Sequence, residues 1–170
     1  MQRAQTGFTL VELMITLAVS TIILTISIPA FDSLMTSNQT TAYTNNVIGA
    51  LRLARSEAIN RGEGVTVCAS NTDYSACDNA NWQNGWLVFT DSDDDRSYTT
   101  GSDELIRIWQ APAGDIAFNE APDNIRFLPS GGLSSNVDDF ALQVSGCNQA
   151  RTISISVLGR AESSLSSCFE

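Results

Sequence analysis

Gly7-Phe8-Thr9-Leu10-Val11-Glu12-Leu13-Met14-Ile15-Thr16-Leu17-Ala18-Val19-Ser20-Thr21-Ile22-Ile23-Leu24-Thr25-Ile26-Ser27-Ile28-Pro29-Ala30-Phe31 is the stretch around which the chain is organised. From Leu13 to Phe31 it holds no charge. Phe8 to Phe31 is 24 residues. As a helix that is roughly 36 Å at about 1.5 Å per residue, enough to cover a bilayer core of about 30 Å. The residues before Phe8 are few and polar, with one cation, Arg3. One carboxylate, Glu12, lies inside the start of the apolar run. An unpaired charge in hydrocarbon costs about 2.5–3.5 kcal/mol, so such a residue calls for a partner and a role.

A secretory signal peptide also has a basic start, an apolar core and a small-residue cleavage site. Two features oppose that reading. Ile28-Pro29-Ala30-Phe31 is a poor cleavage site, and Glu12 interrupts the apolar core.

Gly7-Phe8-Thr9-Leu10-Val11-Glu12-Leu13 resembles the type IV prepilin signature. The resemblance implies cleavage after Gly7 by the prepilin peptidase on the cytoplasmic side. It implies methylation of the new amine on Phe8 and retention of the apolar helix. It also implies that Glu12 meets the terminal amine of a neighbouring subunit. A carboxylate and an ammonium buried together offset each other's desolvation. Pro29 removes one helical hydrogen bond, and in this family a proline so placed marks a kink. The expected organisation is a leader at 1–7, a membrane and filament-core helix at 8–31, and a periplasmic head at 32–170. The expected location is the inner membrane, single-pass, and after assembly the pilus tip or filament.

Composition bounds the head. Removing the leader and the apolar helix leaves about 135 residues, enough for one domain with a real core. Net charge is −10, and all nine basic residues are Arg; His and Lys are absent. Without His, the usual zinc sites and Ser-His or Cys-His pairs are unavailable. No cofactor is implied; paired carboxylates are plentiful, but no general acid/base pair can be identified among them, and no nucleophile elbow or base accompanies a Ser or Thr. The acidity gives no support for a general nucleic-acid surface. Four cysteines, Cys68, Cys77, Cys147 and Cys168, favour two disulfides in an exported domain. Three pairings exist; Cys68–Cys77 with Cys147–Cys168 is preferred, because each bridge then closes a local loop.

Val47, Ile48, Leu51, Ala54, Ala58 and Ile59 form one helical stripe. Gly62 after Arg61 is a stop signal. The expectation is a long helix from Phe8 to about Arg61, less regular over the polar segment Thr36–Thr44. Short β runs follow, at Val65–Ala69, Gly85–Thr90, Glu104–Trp109, Ile116–Phe118, Asn124–Leu128, Asp139–Ser145 and Thr152–Leu158. In the last, Ile153, Ile155 and Val157 share one face. Ser70–Gln83 reads as a loop. The fold class is α+β, pilin-like: one long N-terminal helix, its first half membrane-spanning, on an antiparallel sheet head.

The order Cys68, Trp82, Gly85-Trp86-Leu87-Val88-Phe89-Thr90-Asp91, an acidic loop, then Glu104-Leu105-Ile106-Arg107 resembles the GspH/FimT/FimU branch of pilin-like proteins. So does Ile125-Arg126-Phe127, a Pro/Gly turn, and Ile153 through Val157-Leu158-Gly159-Arg160. This branch implies a minor pilin that helps start or cap a filament. Its alternatives are an H-type pseudopilin of a type II secretion system and a DNA-binding competence pilin. The implied partners are other minor pilins, the major pilin, the prepilin peptidase, the inner-membrane assembly platform, and lipid along residues 8–31.

Two further constellations stand out. Asp91-Ser92-Asp93-Asp94-Asp95 begins like a calcium loop, with Asp91, Asp93 and Asp95 as candidate ligands. Arg96 then stands where that loop needs Gly, and Ser102 where it needs Glu. Gly159-Arg160 resembles the start of a Gly-Arg-x-Arg motif that a DNA-uptake subgroup uses to hold phosphates. Here the fourth position is Glu162. Arg151 and Arg126 contribute cations only if the fold brings them near Arg160.

Overall fold

The computed structural model describes residues 7–79 and 81–169, without the side chains of Ile26, Ile28, Pro29 and Ala30. Apart from Gly7, the expected leader at 1–7 lies outside the described residues. The chain divides into two compact units, Met1–Met35 and Thr36–Glu170. The division falls later than residue 32, where the apolar run gives way to polar sequence.

Helix α1 is Leu10–Arg61. It starts two residues after Phe8 because Thr9 caps it: the Glu12 amide donates to Thr9 Oγ1 at 3.2 Å. Thr9 and Glu12 have the Ser/Thr-x-x-Glu spacing of a capping box. In the first unit the large apolar side chains point outward on every side, from Phe8 and Leu10 through Met14, Leu17 and Ile23 to Leu34. The hydroxyls do the opposite. Thr16, Ser20, Thr21, Thr25 and Ser27 each donate to a carbonyl three or four residues earlier, at 2.7–2.9 Å. They are all the hydroxyls between Leu13 and Phe31. Among the described residues no helix is long and apolar enough to cross a membrane. The apolar run passes through the four positions whose side chains are not described. α1 continues without a break across position 29; the Pro29 ring, on which the expected kink depends, is one of those side chains.

In the second unit α1 stays regular through Thr36–Thr44. Thr40 and Thr44 donate to the carbonyls of Thr36 and Thr40, at 3.0 and 2.7 Å. The polar residues expected to loosen the helix are satisfied by the helix itself. Val47, Ala50, Leu51, Ala54 and Ala58 are buried in the main core. Ala50, Ala54 and Ala58 recur every fourth residue, a flat row that lets the sheets approach closely. Ile59 departs from the expected stripe: it is 50% exposed, one step round the helix. The helix ends at Arg61, and the Gly62 amide bonds back to the Ala58 carbonyl at 3.0 Å.

Among the described residues eight antiparallel strands follow: β1 Val65–Ala69, β2 Gly85–Thr90, β3 Leu105–Gln110, β4 Ile116–Asn119, β5 Asn124–Phe127, β6 Phe140–Val144, β7 Ala150–Ile155 and β8 Ala161–Ser166. They form two four-stranded sheets, ordered β3-β2-β1-β5 and β4-β6-β7-β8. β1 and β2 are buried on both faces. One face, with Val65, Val67, Trp86 and Val88, joins the main core. The other, with Cys68, Leu87 and Phe89, is covered by Tyr74, Cys77, Tyr98 and Leu105.

Cys68 is bonded to Cys77 and Cys147 to Cys168. The first bridge fastens the Ser70–Gln83 connection over the second face of the sheet. The second ties the end of the chain to the β6–β7 turn, where Gln143 also exchanges two hydrogen bonds with the Phe169 backbone. Each contributes about 2–4 kcal/mol, chiefly by restricting the unfolded chain.

The expected strand Thr152–Leu158 is corrected. β7 ends at Ile155, a turn follows, and β8 pairs back from Ile155↔Ala161 to Ala150↔Ser166. Val157 and Leu158 stand in that turn, 63% and 75% exposed. The alternation of apolar residues continued past the point where the chain reverses, and the Ser-rich β8 has too little apolar patterning to announce itself.

Trp82, in a short 3-10 turn at Trp82–Asn84, joins the two sheets. Its ring lies 6.0 Å from Trp86 on β2 and 6.1 Å from both Phe118 on β4 and Phe140 on β6. Its indole N–H donates to the Pro122 carbonyl at 2.7 Å. Trp82→Ala is expected to cost about 3–5 kcal/mol in urea unfolding, and Trp82→Phe clearly less. Equal losses in the two variants would place the weight on the hydrogen bond instead.

Candidate functional site

Three places carry residues singled out in the sequence. At the amino-terminal end, Gly7 and Phe8 precede the helix, and Phe8 is 83% exposed. Glu12 sits in the first turn of α1 with its side chain exposed. There the unpaired N–H groups and the helix dipole favour a negative charge.

The acidic loop after β2 is the second place. Carboxylate oxygens of Asp91, Asp93 and Asp95 come within 4.8 Å of one another. Asp91, however, is fully buried and already engaged. Its Oδ2 accepts from Thr66 Oγ1 and from Arg126 Nε, both at 2.7 Å. Arg126 Nη2 also donates to the Asp91 carbonyl at 3.1 Å, and Nε lies 3.1 Å from Asp94. The guanidinium thus holds the position that a cation would take beside Asp91.

Gly64 makes room for it, since a Cβ there would fall 2.3 Å from Arg126 Nη2. At the far end of the loop, burial pushes the Asp103 carboxyl above its usual range. The Arg61 guanidinium, 2.8 Å away, holds the exposed Glu104 carboxyl below its usual range. The Arg61–Glu104 bridge is present above the ordinary carboxylate pKa and fades as pH falls through the depressed one; in water it contributes little.

The third place is a groove between α1 and the β7–β8 turn. One part, about 590 Å³, is lined by Arg52, Arg55, Ser56, Ile59, Arg160 and Glu162 among others. An adjoining part, about 510 Å³, shares Arg55, Arg160 and Glu162 and adds Ser154, Ser156 and Leu158. Arg52, Arg55, Ser56 and Ile59 stand at i, i+3, i+4 and i+7, one face of the helix.

Gly159 brings Arg160 to that face. Its φ is +75°, and a Cβ would fall 2.2 Å from the Gly131 carbonyl oxygen. The same carbonyl accepts a hydrogen bond from Arg55 Nε at 2.9 Å. Glycine is therefore required here to seat one turn on the other beside α1.

The fold brings Arg160 together with Arg52 and Arg55, not with the residues considered alongside it in the sequence. Arg151, the other candidate for DNA, lines neither part of the groove. Arg126 is committed to Asp91. In the sequence the two helical arginines lie off the apolar stripe and look like solvated residues. Their signal was the i, i+3 spacing of like charges, which means little until the turn that faces them is known.

A long amino-terminal helix with two antiparallel sheets is the pilin-like α+β fold. The family model described as type II transport protein GspH matches residues 43–159, and the prokaryotic N-terminal methylation motif matches residues 2–28. The chain belongs to the GspH family of pilin-like proteins, whose members are structural proteins and not enzymes. The fold resembles crystal structures of the type IV minor pilin FimU from Pseudomonas aeruginosa. One has a TM-score of 0.55 at 19% identity, covering 74% of this chain and 88% of that one. A second crystal form gives 0.53 at 19% identity, covering 73% and 91%. No curated protein sequence matches the chain.

Two outcomes test the acidic loop. Asp91→Asn leaves Arg126 nearly buried without its principal counter-charge, and is expected to cost about 3–5 kcal/mol in urea unfolding. A loss under about 1 kcal/mol would mean the pair is not structural. Millimolar calcium is expected to leave the melting temperature of the native chain unchanged; a saturable rise would show the three carboxylates to be a metal site.

Proposed function

We propose that the chain is a minor type IV pilin that takes part in starting the filament and forming its tip. The observation that carries this is the surface of the first unit of α1. Apolar side chains face outward on every side, and each hydroxyl of the uncharged run bonds back to its own helix. Such a helix has no use for water as a hydrogen-bond partner. Leu10 to Phe31, the helical part of the apolar run, is 22 residues, roughly 33 Å of helix. It suits storage in the inner membrane and later packing among like helices.

In this reading the prepilin peptidase cuts after Gly7, and the amine of Phe8 is methylated. Glu12 pairs with the terminal amine of an adjacent subunit as helices bundle. Its exposed place in the first turn of α1 supports the role, because it leaves the carboxylate accessible to a neighbouring chain. Bending near Pro29 lets the helix adjust to the bundle. The head, from about residue 32 onward, meets other minor pilins and, through them, the major pilin. The assembly platform in the inner membrane drives the process.

A second reading, an H-type pseudopilin of a type II secretion system, is favoured by the description of the matched family. A deletion strain separates the two: loss of surface pili with export intact supports the first, and loss of export with pili intact the second. DNA capture is the weaker reading, since Glu162 shares the groove with Arg160 and Arg151 does not reach it.

Glu12→Ala is expected to be processed normally yet fall at least tenfold in sheared filaments. It would leave an apolar-buried amine uncompensated, a loss of about 3–5 kcal/mol. Wild-type incorporation of that variant, followed by immunoblot of filament fractions, would contradict the pairing.

A further inference from the structure

We propose that the groove between α1 and the β7–β8 turn binds a carboxylate-bearing segment of a neighbouring pilin head. The inference rests on the reading of the chain as a filament subunit and names the contact its head makes. The chain has 19 acidic residues against nine arginines. With acids in twofold excess, Arg61 pairs with Glu57 and Glu104, Arg96 with Asp94, and Arg126 with Asp91 and Asp94, while Arg107 lies over the Trp109 ring and Arg151, like the groove arginines, is in no salt bridge among the described residues. Among the described residues, no salt bridge includes Arg52, Arg55 or Arg160. Yet these three line one depression in which Glu162 is the single acidic residue, leaving cations in excess. Like charges gathered in one place repel, and an anion supplied from outside relieves that repulsion.

The rest of the wall selects the anion. Ile59, lining the first part of the groove, and Leu158, lining the second, are large apolar side chains, 50% and 75% exposed. An apolar rim around guanidinium groups suits a peptide with a carboxylate next to an apolar side chain. Arginine forks bind carboxylates bidentately and are enriched at protein interfaces.

Nucleic acid fits less well. No aromatic side chain lines the groove to stack a base. Glu162 stands in the wall, and a net charge of −10 repels a polyanion at longer range. A short acidic segment feels that repulsion far less than a phosphate chain does.

The experiment uses the full chain in filament-producing cells, with a photoreactive amino acid in place of Ser56, which lies on the groove. After irradiation, the cross-linked product from sheared filaments is digested and sequenced by mass spectrometry. The expected product joins position 56 to an Asp- or Glu-containing peptide of another pilin head. Its yield is expected to fall at least about tenfold in the Arg52→Glu/Arg160→Glu variant, the scale of one lost charge-assisted contact. It should be largely kept in Arg52→Lys/Arg160→Lys.

Three results would overturn the proposal: no cross-link in filaments that contain the chain, a cross-link to nucleotide, or a yield unmoved by charge reversal. Incorporation is read on the same samples. A photoreactive chain that never enters filaments, although correctly processed and disulfide-bonded, overturns the filament-subunit reading and this inference with it. A chain that enters without cross-linking overturns this inference alone.

Discussion

Exposed apolar surface on the first unit of α1 is the constraint from which the biology of this protein follows. Leu10, Val11, Met14, Ile15, Leu17, Ile22, Ile23 and Leu24 are all exposed. Each large apolar side chain taken out of water contributes about 1.5–3 kcal/mol, so such a surface is covered whenever a cover exists. In the proposed function, lipid and neighbouring helices are its covers. The hydroxyls of the run have already turned to their own backbone, so either cover is met by a surface without unsatisfied donors. Against this background the Glu12 carboxylate, at the start of the uncharged run, is a polar exception, which explains why a single pairing there is proposed to organise assembly.

The second unit is held by different means. Three alanines on α1 let two sheets come close, Trp82 joins the sheets through contacts with three aromatic rings, and two disulfides fasten the connections. Asp91 and Arg126 form a nearly buried ion pair beneath the acidic loop, with Thr66 on β1 as third partner. A buried pair is weak evidence for net stability, because desolvation offsets much of the attraction. Its effect is on geometry. It fixes where the loop leaves β2, and its dependence on Gly64 sets how close β5 comes to the start of β1. The same residues that resemble the beginning of a calcium loop therefore serve as an anchor with a built-in cation.

Much of this was legible in the sequence, for identifiable reasons. The helix and the early strands have strong periodicity and clear stops, such as Gly62 and the Pro129–Gly132 turn. Local cysteine spacing favoured the pairing that the structure contains. What was hidden depended on contacts distant in sequence. β8 carries mostly Ser and Glu, and it pairs with β7 only because Gly159 permits the turn. The arginine groove joins α1 to a turn about a hundred residues later in the chain, so neither Arg52 nor Arg55 looked different from a solvated helical residue. Thr9 and Glu12 did have a readable capping signature, overshadowed by the more conspicuous role implied for the carboxylate.

The central claim is that the apolar helix is kept and begins at Phe8. Mass spectrometry of the amino terminus of the chain isolated from native filaments tests it most directly. The account predicts a first residue of N-methylated Phe8, with residues 1–7 removed. A mature chain beginning beyond Ile28 would mean that the apolar segment is discarded on export, and would contradict it.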